Sequence, residues 1–171
     1  AMIFGVTLDV TERRRAAEAL RSAAERAALA ARGAGIGTWE MDLVGSDERW
    51  DEQMFRLRGI EPRPTPPGRE ERLALLHPDD RALVLDAHPA DWASAGAVQY
   101  EFRVGWPDGS WRWLASRSTP VFDAAGRALR RVGVNWDITE AKLAEAALRE
   151  TALVQRESQA KSQFLSRVSH E

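Results

Sequence analysis

The sequence predicts an α+β domain with a five-stranded antiparallel sheet, helices inserted between strands two and three, and a long helix at each end. Residues 11–31 and 139–171 are rich in strong helix formers and contain no Gly or Pro. Apolar residues alternate with polar ones from residue 98 onward, as in a half-buried strand. Turn signals containing Gly, Pro and Asp separate the extended runs.

Composition limits the possible functions. With 171 residues, 44% of them hydrophobic, the chain can form one domain with extensions. The net charge of -2 offers no sustained basic face, so no nucleic-acid partner is expected. The absence of cysteine excludes disulfides, thiolate metal sites and a cysteine nucleophile. No apolar run is long enough to cross a bilayer and no signal peptide is evident, so we expect a cytoplasmic segment without membrane contact. A parent protein could still be membrane-attached through other regions.

One phrase occurs twice. "GVTLDVTERRRAAEAL" at residues 5–20 and "GVNWDITEAKLAEAAL" at residues 133–148 share eight of sixteen positions. Each places a strand before a helix, and the D-x-x-E spacing of Asp137 and Glu140 is that of a capping box. The junction around Asp137, Thr139 and Glu140 is therefore where we expect a signal to pass from the domain into its exit helix.

The repeat suggests how the chain is organised. We divide it into the last strand of a truncated upstream domain (1–10), a connector helix (11–31), the domain itself (32–138), a signalling coiled-coil helix (139–160) and the start of a further helical segment (161–171).

The first half of the domain begins with "TWEMDL", a predicted strand at residues 38–43, and "GSDERW", a turn followed by a short second strand. The preceding glycines have the spacing of a dinucleotide-binding fingerprint, but a helix comes before them and a strand after, which favours a helix stop and turn. A short helix ending at Gly59 follows, and then a proline-rich loop. "REERLALLHPDDRALVLDAH" is predicted to be helical with a break at Pro78, and Asp79 and Asp80 are placed to cap the next helix.

The second half of the domain contains three strands. Val98, Tyr100, Phe102 and Val104 alternate with polar residues and so share one face. "WPDGS" turns the chain into "WRWLASRSTPVF", and "DAAGR" turns it again into "ALRRVGVNWDI".

Aromatic and sulfur-containing side chains are candidates for a ligand pocket. From strand alternation and placement these are Trp39, Met54, Phe55, Trp92, Tyr100, Phe102 and Trp113. Core packing explains them equally well, so both interpretations stay open and no ligand can be named.

The histidines raise the question of a metal or haem. His77 and His88 are candidate haem ligands, but His77 in "HPDD" better fits a helix start and His88 precedes Pro89 at a helix end. The three histidines are too dispersed for a recognisable metal cluster, and no metal or certain cofactor is predicted.

The phrases "GIGTWEMDL", "HPDDR", "PDGSWRWL", "STPVFDAAGR" and "GVNWDITE" resemble, in this order, a PAS domain with its C-terminal PAC motif. The resemblance covers roughly residues 28–140. It implies a curved sheet with side helices that forms a sensory module and can hold a small molecule. The cysteine-bearing segment of flavin photosensors is missing, which excludes a light-driven thiol adduct.

The last residues, "KSQFLSRVSHE", resemble the start of the phosphoacceptor helix, or H-box, of a sensor histidine kinase. This resemblance implies that His170 accepts the phosphoryl group and that Glu171 orients it. ATP would be bound by a separate kinase domain absent from this chain, so the segment itself is not expected to be an active enzyme. A response-regulator receiver domain would be the downstream partner.

The C-terminal helix carries a narrow apolar seam, weakened in the middle by "RESQAKSQ". Its members are Leu143, Ala147, Leu148, Val154, Phe164, Leu165 and Val168. Such a helix is marginal alone, so we expect a parallel homodimer. The alternative to a kinase is a PAS interaction module that feeds another output, such as a nucleotide cyclase. A standalone enzyme is disfavoured because the sequence supplies no nucleophile, base and acid set.

Overall fold

The computed structural model describes residues 5–45, 47–85 and 96–168. In chain order its elements are helix α1 (Gly5–Gly33), strands β1 (Gly37–Asp42) and β2 (Glu48–Trp50), helices α2 (Glu52–Arg56) and α3 (Arg69–Leu75), a 3₁₀ turn (Pro78–Asp80), helix α4 (Arg81–Leu85), strands β3 (Val98–Gly105), β4 (Trp111–Phe122) and β5 (Ala128–Asp137), and helix α5 (Thr139–Val168). The pocket candidate Trp92 and the haem candidate His88 lie outside the described residues.

The strands form one antiparallel sheet in the order β2-β1-β5-β4-β3, and the short helices lie between β2 and β3 in sequence. This confirms the predicted fold class. Strand β5 pairs with β1 on one side and β4 on the other, so the last strand of the domain lies at the centre of the sheet. The helix that leaves it therefore starts from the middle of the fold.

The two hairpin turns have the chemistry that the sequence suggests. Gly109 and Gly126 adopt φ values of 81° and 77°, which a residue with a Cβ atom rarely adopts. Asp108 accepts a hydrogen bond from the Ser110 N–H at 2.8 Å. Asp123 accepts from both Ala125 and Arg127 N–H groups at 2.9 Å. These side chains fix the turns that set the register of β3, β4 and β5.

The sheet has an inner face, defined here by Trp39, Phe102, Val104 and Leu114, and an opposite outer face. The inner face packs against the short helices, and the buried apolar cluster consists of Leu57, Leu76, Phe102, Val104 and Leu114. Phe102 and Val104 are buried, as the alternation of β3 predicts. The break in the helical region comes at Leu76, which forms a bridge with Val104 and ends α3 two residues before Pro78.

The N-terminal segment differs from the prediction. Residues 5–10 form the first turns of α1, so the strand expected there is wrong for the described residues. A strand needs hydrogen-bonded neighbours, and no described strand pairs with this segment. Helical hydrogen bonds are internal, and residues 11–31 already form a strong helix that extends into the preceding residues. The assignment of residues 1–10 to an upstream domain stays a prediction.

Close packing between Trp39 and Gly133 gives a stability prediction. A Cβ atom on Gly133 would lie 2.4 Å from the Trp39 ring, which is held by a hydrogen bond from Nε1 to Asn135 Oδ1 at 3.1 Å. Gly133→Ala should therefore lower the free energy of unfolding by about 1–2 kcal/mol, because the ring must move from its site. Gly33→Ala, where a Cβ would meet nothing within 4 Å, is the control and should not destabilise the protein in urea titrations. Equal stability of the two variants would contradict the packing argument.

Candidate functional site

The junction between β5 and α5 is held by the backbone of Trp113 on the neighbouring strand. The Ile138 N–H donates to the Trp113 carbonyl oxygen at 2.9 Å. The Trp113 N–H in turn donates to Thr139 Oγ1 at 2.9 Å. The Thr139 N–H donates to Asp137 Oδ1 at 2.7 Å. The first residues of α5 are thus hydrogen-bonded to β4 without any intervening loop.

Of the capping box expected at Asp137 and Glu140, only the Asp137 half is present: its carboxylate accepts from the Thr139 N–H. Lys142 N–H donates to the Ile138 carbonyl oxygen at 3.0 Å, so Ile138 is the residue that precedes the helix. The third helical position is then Ala141, not Glu140. Among the described residues the Glu140 side chain makes no hydrogen bond or ion pair, because it lies one position too early in the helix to reach back.

The ring of Trp113 contacts side chains of α5 and of one further element, β3. Lys142 Nζ lies 5.1 Å from the ring centroid, and Arg103 Cζ also lies 5.1 Å from it. Lys142 forms an ion pair with Glu101 of β3 at 2.5 Å. The first turn of α5 is therefore attached to β3 as well as to β4. Trp113 lies on the outer face, so its prediction as a pocket residue with Phe102 is wrong: Leu114, the next residue, is the one that faces the core.

Arg103 connects this junction to the inserted helices. Asp80 Oδ2 accepts from the Arg103 backbone N–H at 2.7 Å and from Nε at 2.9 Å, and Oδ1 accepts from Nη2 at 2.8 Å. The hydrogen bonds from Arg103 hold the pKa of Asp80 below its ordinary value. Asp80 therefore binds β3 and does not cap α4 as the sequence suggested, and the 3₁₀ turn is capped by His77 Nδ1, which accepts from the Asp79 N–H at 3.3 Å.

The exit helix α5 is a single element of 30 residues, about 45 Å long at the usual rise per residue. Its apolar seam is exposed in this chain: Leu143 is 65%, Leu148 72% and Val154 60% exposed. The predicted phosphoacceptor His170 and its neighbour Glu171 lie outside the described residues, two and three positions beyond the end of α5 at Val168.

The structure brings most of the predicted pocket residues together on the inner side of the fold. Trp39, Met54, Phe55 and Phe102 are all buried. Tyr100 is half-buried and its ring lies 5.6 Å from that of Phe102. These residues form an aromatic interior, and nothing in their own packing decides between core and ligand contact.

Polar residues on the inner face were missed by the sequence analysis. Ser116, Ser118, Arg131 and Asn135 are all buried. Arg131 Nε donates to Ser118 Oγ at 2.9 Å, and Nη2 donates to the Gly96 carbonyl oxygen at 3.1 Å. The signal was available, because Ser116 and Ser118 alternate in step with Leu114 along β4. Buried polar groups are generally hydrogen-bonded, as the guanidinium of Arg131 is here.

A concave region lies mainly on the outer face of the sheet, on the side opposite the predicted pocket residues. It is an open trough of about 780 Å³ crossing four strands. Its lining includes Thr38, Glu40, Arg117, Thr119, Val132 and Val134. It shares only Trp39 with the predicted pocket residues, so the trough and the predicted pocket are separate regions.

The described residues offer neither a metal cluster nor a membrane-spanning helix. The described parts of the chain contain no group of three or more His, Asp or Glu side chains placed to hold a metal ion. The ring of His77 lies 4.7 Å from that of Trp111, and with its Nδ1 contact this fits the helix-start role suggested by the sequence. None of the described helices combines the length and apolar character needed to cross a membrane.

The comparison with protein families decides the classification. The family model described as PAS fold matches residues 48–135, just over half of the chain. The chain belongs to the PAS family. The resemblance seen in its turn and strand phrases is thereby confirmed, and the described domain is a PAS sensory domain.

Two curated relatives of this PAS domain are a sensor protein and a probable diguanylate cyclase. It is 33% identical over 117 residues to the sensor protein FixL of Bradyrhizobium diazoefficiens, covering 68% of this chain and 23% of the relative. It is 31% identical over 140 residues to the probable diguanylate cyclase DgcE of Escherichia coli, covering 82% of this chain and 12% of the relative. The chain thus spans less than a quarter of either relative.

Solved structures agree on the PAS fold. A sensory box histidine kinase/response regulator from Burkholderia thailandensis matches with a TM-score of 0.61 and 32% identity, covering 77% of this chain and 98% of that one. The N-terminal domain of a diguanylate cyclase with PAS/PAC sensor from Marinobacter aquaeolei matches with a TM-score of 0.55 and 18% identity. This match covers 63% of this chain and 98% of that one. The second match supports the fold alone.

Proposed function

We propose that this chain is the sensory PAS module of a two-component sensor histidine kinase and that it passes its signal through α5 to a phosphoacceptor at His170. The observation that carries the proposal is the attachment of the first turn of α5 to Trp113, followed by an uninterrupted helix from Thr139 to Val168. The relationship to FixL and to the Burkholderia histidine kinase supports a kinase output.

The proposed mechanism is mechanical. A change in the interior moves β3 or β4, and Arg103 and Trp113 transfer that movement to Lys142 and Thr139. Because α5 starts without a flexible break, a small rotation at its first turn is carried along the helix. Coupling between two sites is typically about 1–3 kcal/mol, which is enough to bias a helix pair between two arrangements.

The proposed chemistry is transfer of the γ-phosphoryl group of ATP to His170. A neutral imidazole nitrogen of His170 attacks the γ-phosphorus of ATP held by a separate kinase domain, and the bond to the β,γ-bridging oxygen breaks to release ADP. Glu171 holds the other ring nitrogen in the productive tautomer. A receiver domain of a response regulator then takes the phosphoryl group.

The proposed assembly is a parallel homodimer through the C-terminal helices. Leu143, Leu148 and Val154 are exposed, and a second helix with the same apolar seam would bury them. On this arrangement a change of helix pairing, rather than unfolding, carries the signal.

The alternative function is a PAS module that controls a nucleotide cyclase. It is favoured by the identity to DgcE, which extends over more of this chain than the identity to FixL. The parent sequence after Glu171 distinguishes the two: Leu-Arg-Thr-Pro supports the kinase, and a cyclase domain following the helix supports the alternative.

Thr139→Val tests transmission through the junction. Valine keeps the shape of threonine but cannot accept the Trp113 N–H, so the first turn of α5 should loosen. In the full-length protein we expect the basal autophosphorylation rate to change by at least about fivefold. Hydrogen exchange at Trp113 and Ile138 should also become faster.

Thr151→Val is the matched control for that experiment. Thr151 lies on the same helix, is exposed, and its hydroxyl donates to the Ala147 carbonyl oxygen at 2.9 Å. The basal autophosphorylation rate of Thr151→Val should stay within about twofold of wild type, because a surface substitution of this kind has little effect. If the two variants behave alike, the Trp113 contact does not transmit the signal.

A further inference from the structure

The two long helices of the chain meet the sheet at the same edge. Residues 34–36 connect the end of α1 to Gly37, and Gly37 pairs with Asn135 of β5. Residues 136–138 connect Asn135 in turn to the start of α5. Strands β1 and β5 are neighbours in the sheet, where paired strands lie about 4.8 Å apart. The segment that enters the domain is therefore separated from the segment that leaves it by one cross-strand pair.

The end of α1 is a rigid joint. The Gly35 N–H donates to the Arg32 carbonyl oxygen at 3.1 Å, and the Ile36 N–H donates to the Ala31 carbonyl oxygen at 2.8 Å. These two hydrogen bonds form a Schellman motif, and Gly35 adopts the left-handed conformation that the motif requires, with a φ of 68°. Because the last carbonyl groups of α1 are bonded in this way, a rotation of α1 also turns Ile36 at the start of β1.

The first residues of β1 are also fixed to helix α2. Asp51 Oδ2 accepts from the Thr38 N–H and from Thr38 Oγ1, both at 2.8 Å, and Asp51 Oδ1 accepts from the Met54 N–H at 2.9 Å. Gly37 lies against the same helix, since a Cβ atom there would lie 2.8 Å from the Met54 nitrogen. The start of β1 and the start of α2 thus move as one unit, and the neighbour of this unit in the sheet is β5.

Helix α1 also begins with the same phrase as α5. Alignment of the two copies of that phrase places Thr11 at the position of Thr139. It also places Arg14 at the position of Lys142, so a hydroxyl and a cation are kept at the two positions that attach α5 to β4. Helix α1 therefore has at its start the side chains by which α5 follows a movement of the sheet, and at its end a rigid joint to β1.

We infer that α1 is an input helix whose rotation or displacement is passed through the β1–β5 pair to the first turn of α5. The domain then combines two signals at one output helix, the first from its interior and the second from α1. Coupling between two sites is a free energy and is reciprocal, so a change at the start of α5 also acts on the end of α1. The inference concerns this chain itself and does not depend on a kinase output.

Gly35→Ala tests the forward direction on the purified chain. Among the described residues a Cβ atom at Gly35 meets only Gln53 Nε2, at 4.0 Å, so the substitution strains the left-handed backbone without a steric clash. Native-state hydrogen exchange is measured at the Ile138 and Lys142 N–H groups, which donate to the carbonyl oxygens of Trp113 and Ile138. We expect both amides to exchange at least about fivefold faster than in wild type.

Gly126→Ala is the matched control for the forward direction. Gly126 also has a positive φ, 77°, and a Cβ atom there meets nothing within 4 Å among the described residues. It lies in the turn before β5, at the end of that strand remote from α5. The variant therefore carries a similar backbone strain away from the joint, and exchange at Ile138 and Lys142 should stay within about twofold of wild type.

Thr139→Val tests the reverse direction in the same experiment. It removes the acceptor of the Trp113 N–H at the start of α5. If the coupling is reciprocal, the N–H groups of Gly35 and Ile36 at the end of α1 should exchange at least about fivefold faster. Thr151→Val, on the exposed part of α5, should leave both rates within about twofold of wild type.

Two results would overturn the inference. The first is an equal effect of Gly35→Ala and Gly126→Ala on exchange at the start of α5, because strain at any place in the domain would then act alike. The second is unchanged exchange at the end of α1 in Thr139→Val, and this measurement also decides the matter if Gly35→Ala fails to fold. Either result leaves the proposed phosphoacceptor untouched, because its role is measured by phosphotransfer from ATP.

Discussion

Phosphotransfer from ATP to the full-length protein should fall to background when His170 is replaced by glutamine. Glutamine can hydrogen-bond much as histidine does, but its amide is not a nucleophile and cannot form the phosphorus–nitrogen bond. We therefore expect loss of acid-labile radiolabel after incubation with [γ-³²P]ATP, with ATP binding by the kinase domain retained.

His77→Gln provides the control for this experiment. His77 Nδ1 accepts from the Asp79 N–H and its ring packs on Trp111, so it serves the start of a 3₁₀ turn and has no part in phosphoryl transfer. The His77 variant should be labelled like wild type. Persistent labelling of the His170 variant at the wild-type level would remove the proposed role of this histidine, and no labelling of the wild-type protein would favour the cyclase alternative.

The sheet was predictable because its signals are local. The alternation of β3, the turn residues around Gly109 and Gly126, and the helical composition of residues 139–168 each fix an element without knowledge of the rest. Their order along the chain then fixes the class of fold. The burial of Phe102 and Val104 follows from the same alternation.

The sequence-based predictions that were wrong concern features that depend on contacts between distant parts of the chain. Residues 5–10 repeat a strand phrase, but a strand needs neighbours, and no strand of the described sheet pairs with this segment. Trp113 was assigned to the pocket from strand alternation and placement, but it pairs with Arg103, and Leu114 is the residue that pairs with Phe102 on the inner face. Glu140 has the right spacing from Asp137 for a capping box, but the helix begins one residue later than that spacing requires.

The polar interior could not be found from residue type alone. Arginine is usually exposed, and nothing near Arg131 in the sequence marks it as a buried residue. Its guanidinium donates to Ser118 Oγ on β4 and to the Gly96 carbonyl oxygen, both far from it along the chain. The polar part of the inner face therefore depends on contacts that only the folded chain brings together.

The contacts around Arg103 join the inserted helices to the output helix. Asp80 holds Arg103, Arg103 lies against the Trp113 ring, and Trp113 holds Thr139 through its backbone and Lys142 through its ring. These steps are direct contacts. A change at the 3₁₀ turn therefore has a physical route to α5 that does not pass through the apolar core.

Asp80→Ala should be among the most destabilising single changes in the domain, lowering the free energy of unfolding by about 2–3 kcal/mol at neutral pH. It removes three hydrogen bonds to Arg103, and the side chains are only 14% and 25% exposed, so water replaces the carboxylate poorly. Asp79→Ala is the adjacent control. Asp79 is 74% exposed and lies 3.6 Å from the same arginine, so its loss should cost less than about 1 kcal/mol. Urea titrations of the two variants measure the difference.

The dependence of that difference on pH identifies its cause. The native pKa of Asp80 is lowered, chiefly by its hydrogen bonds from Arg103, with His77 a smaller contributor. A carboxyl group with a lowered native pKa stabilises the fold fully above its unfolded pKa of about 4 and loses this effect as the pH falls through the native value. The gap between wild type and Asp80→Ala should therefore be constant from about pH 5 to 7 and shrink progressively below about pH 4. A gap that stays the same down to pH 2 would show that packing, not the charged contact with Arg103, accounts for the stability.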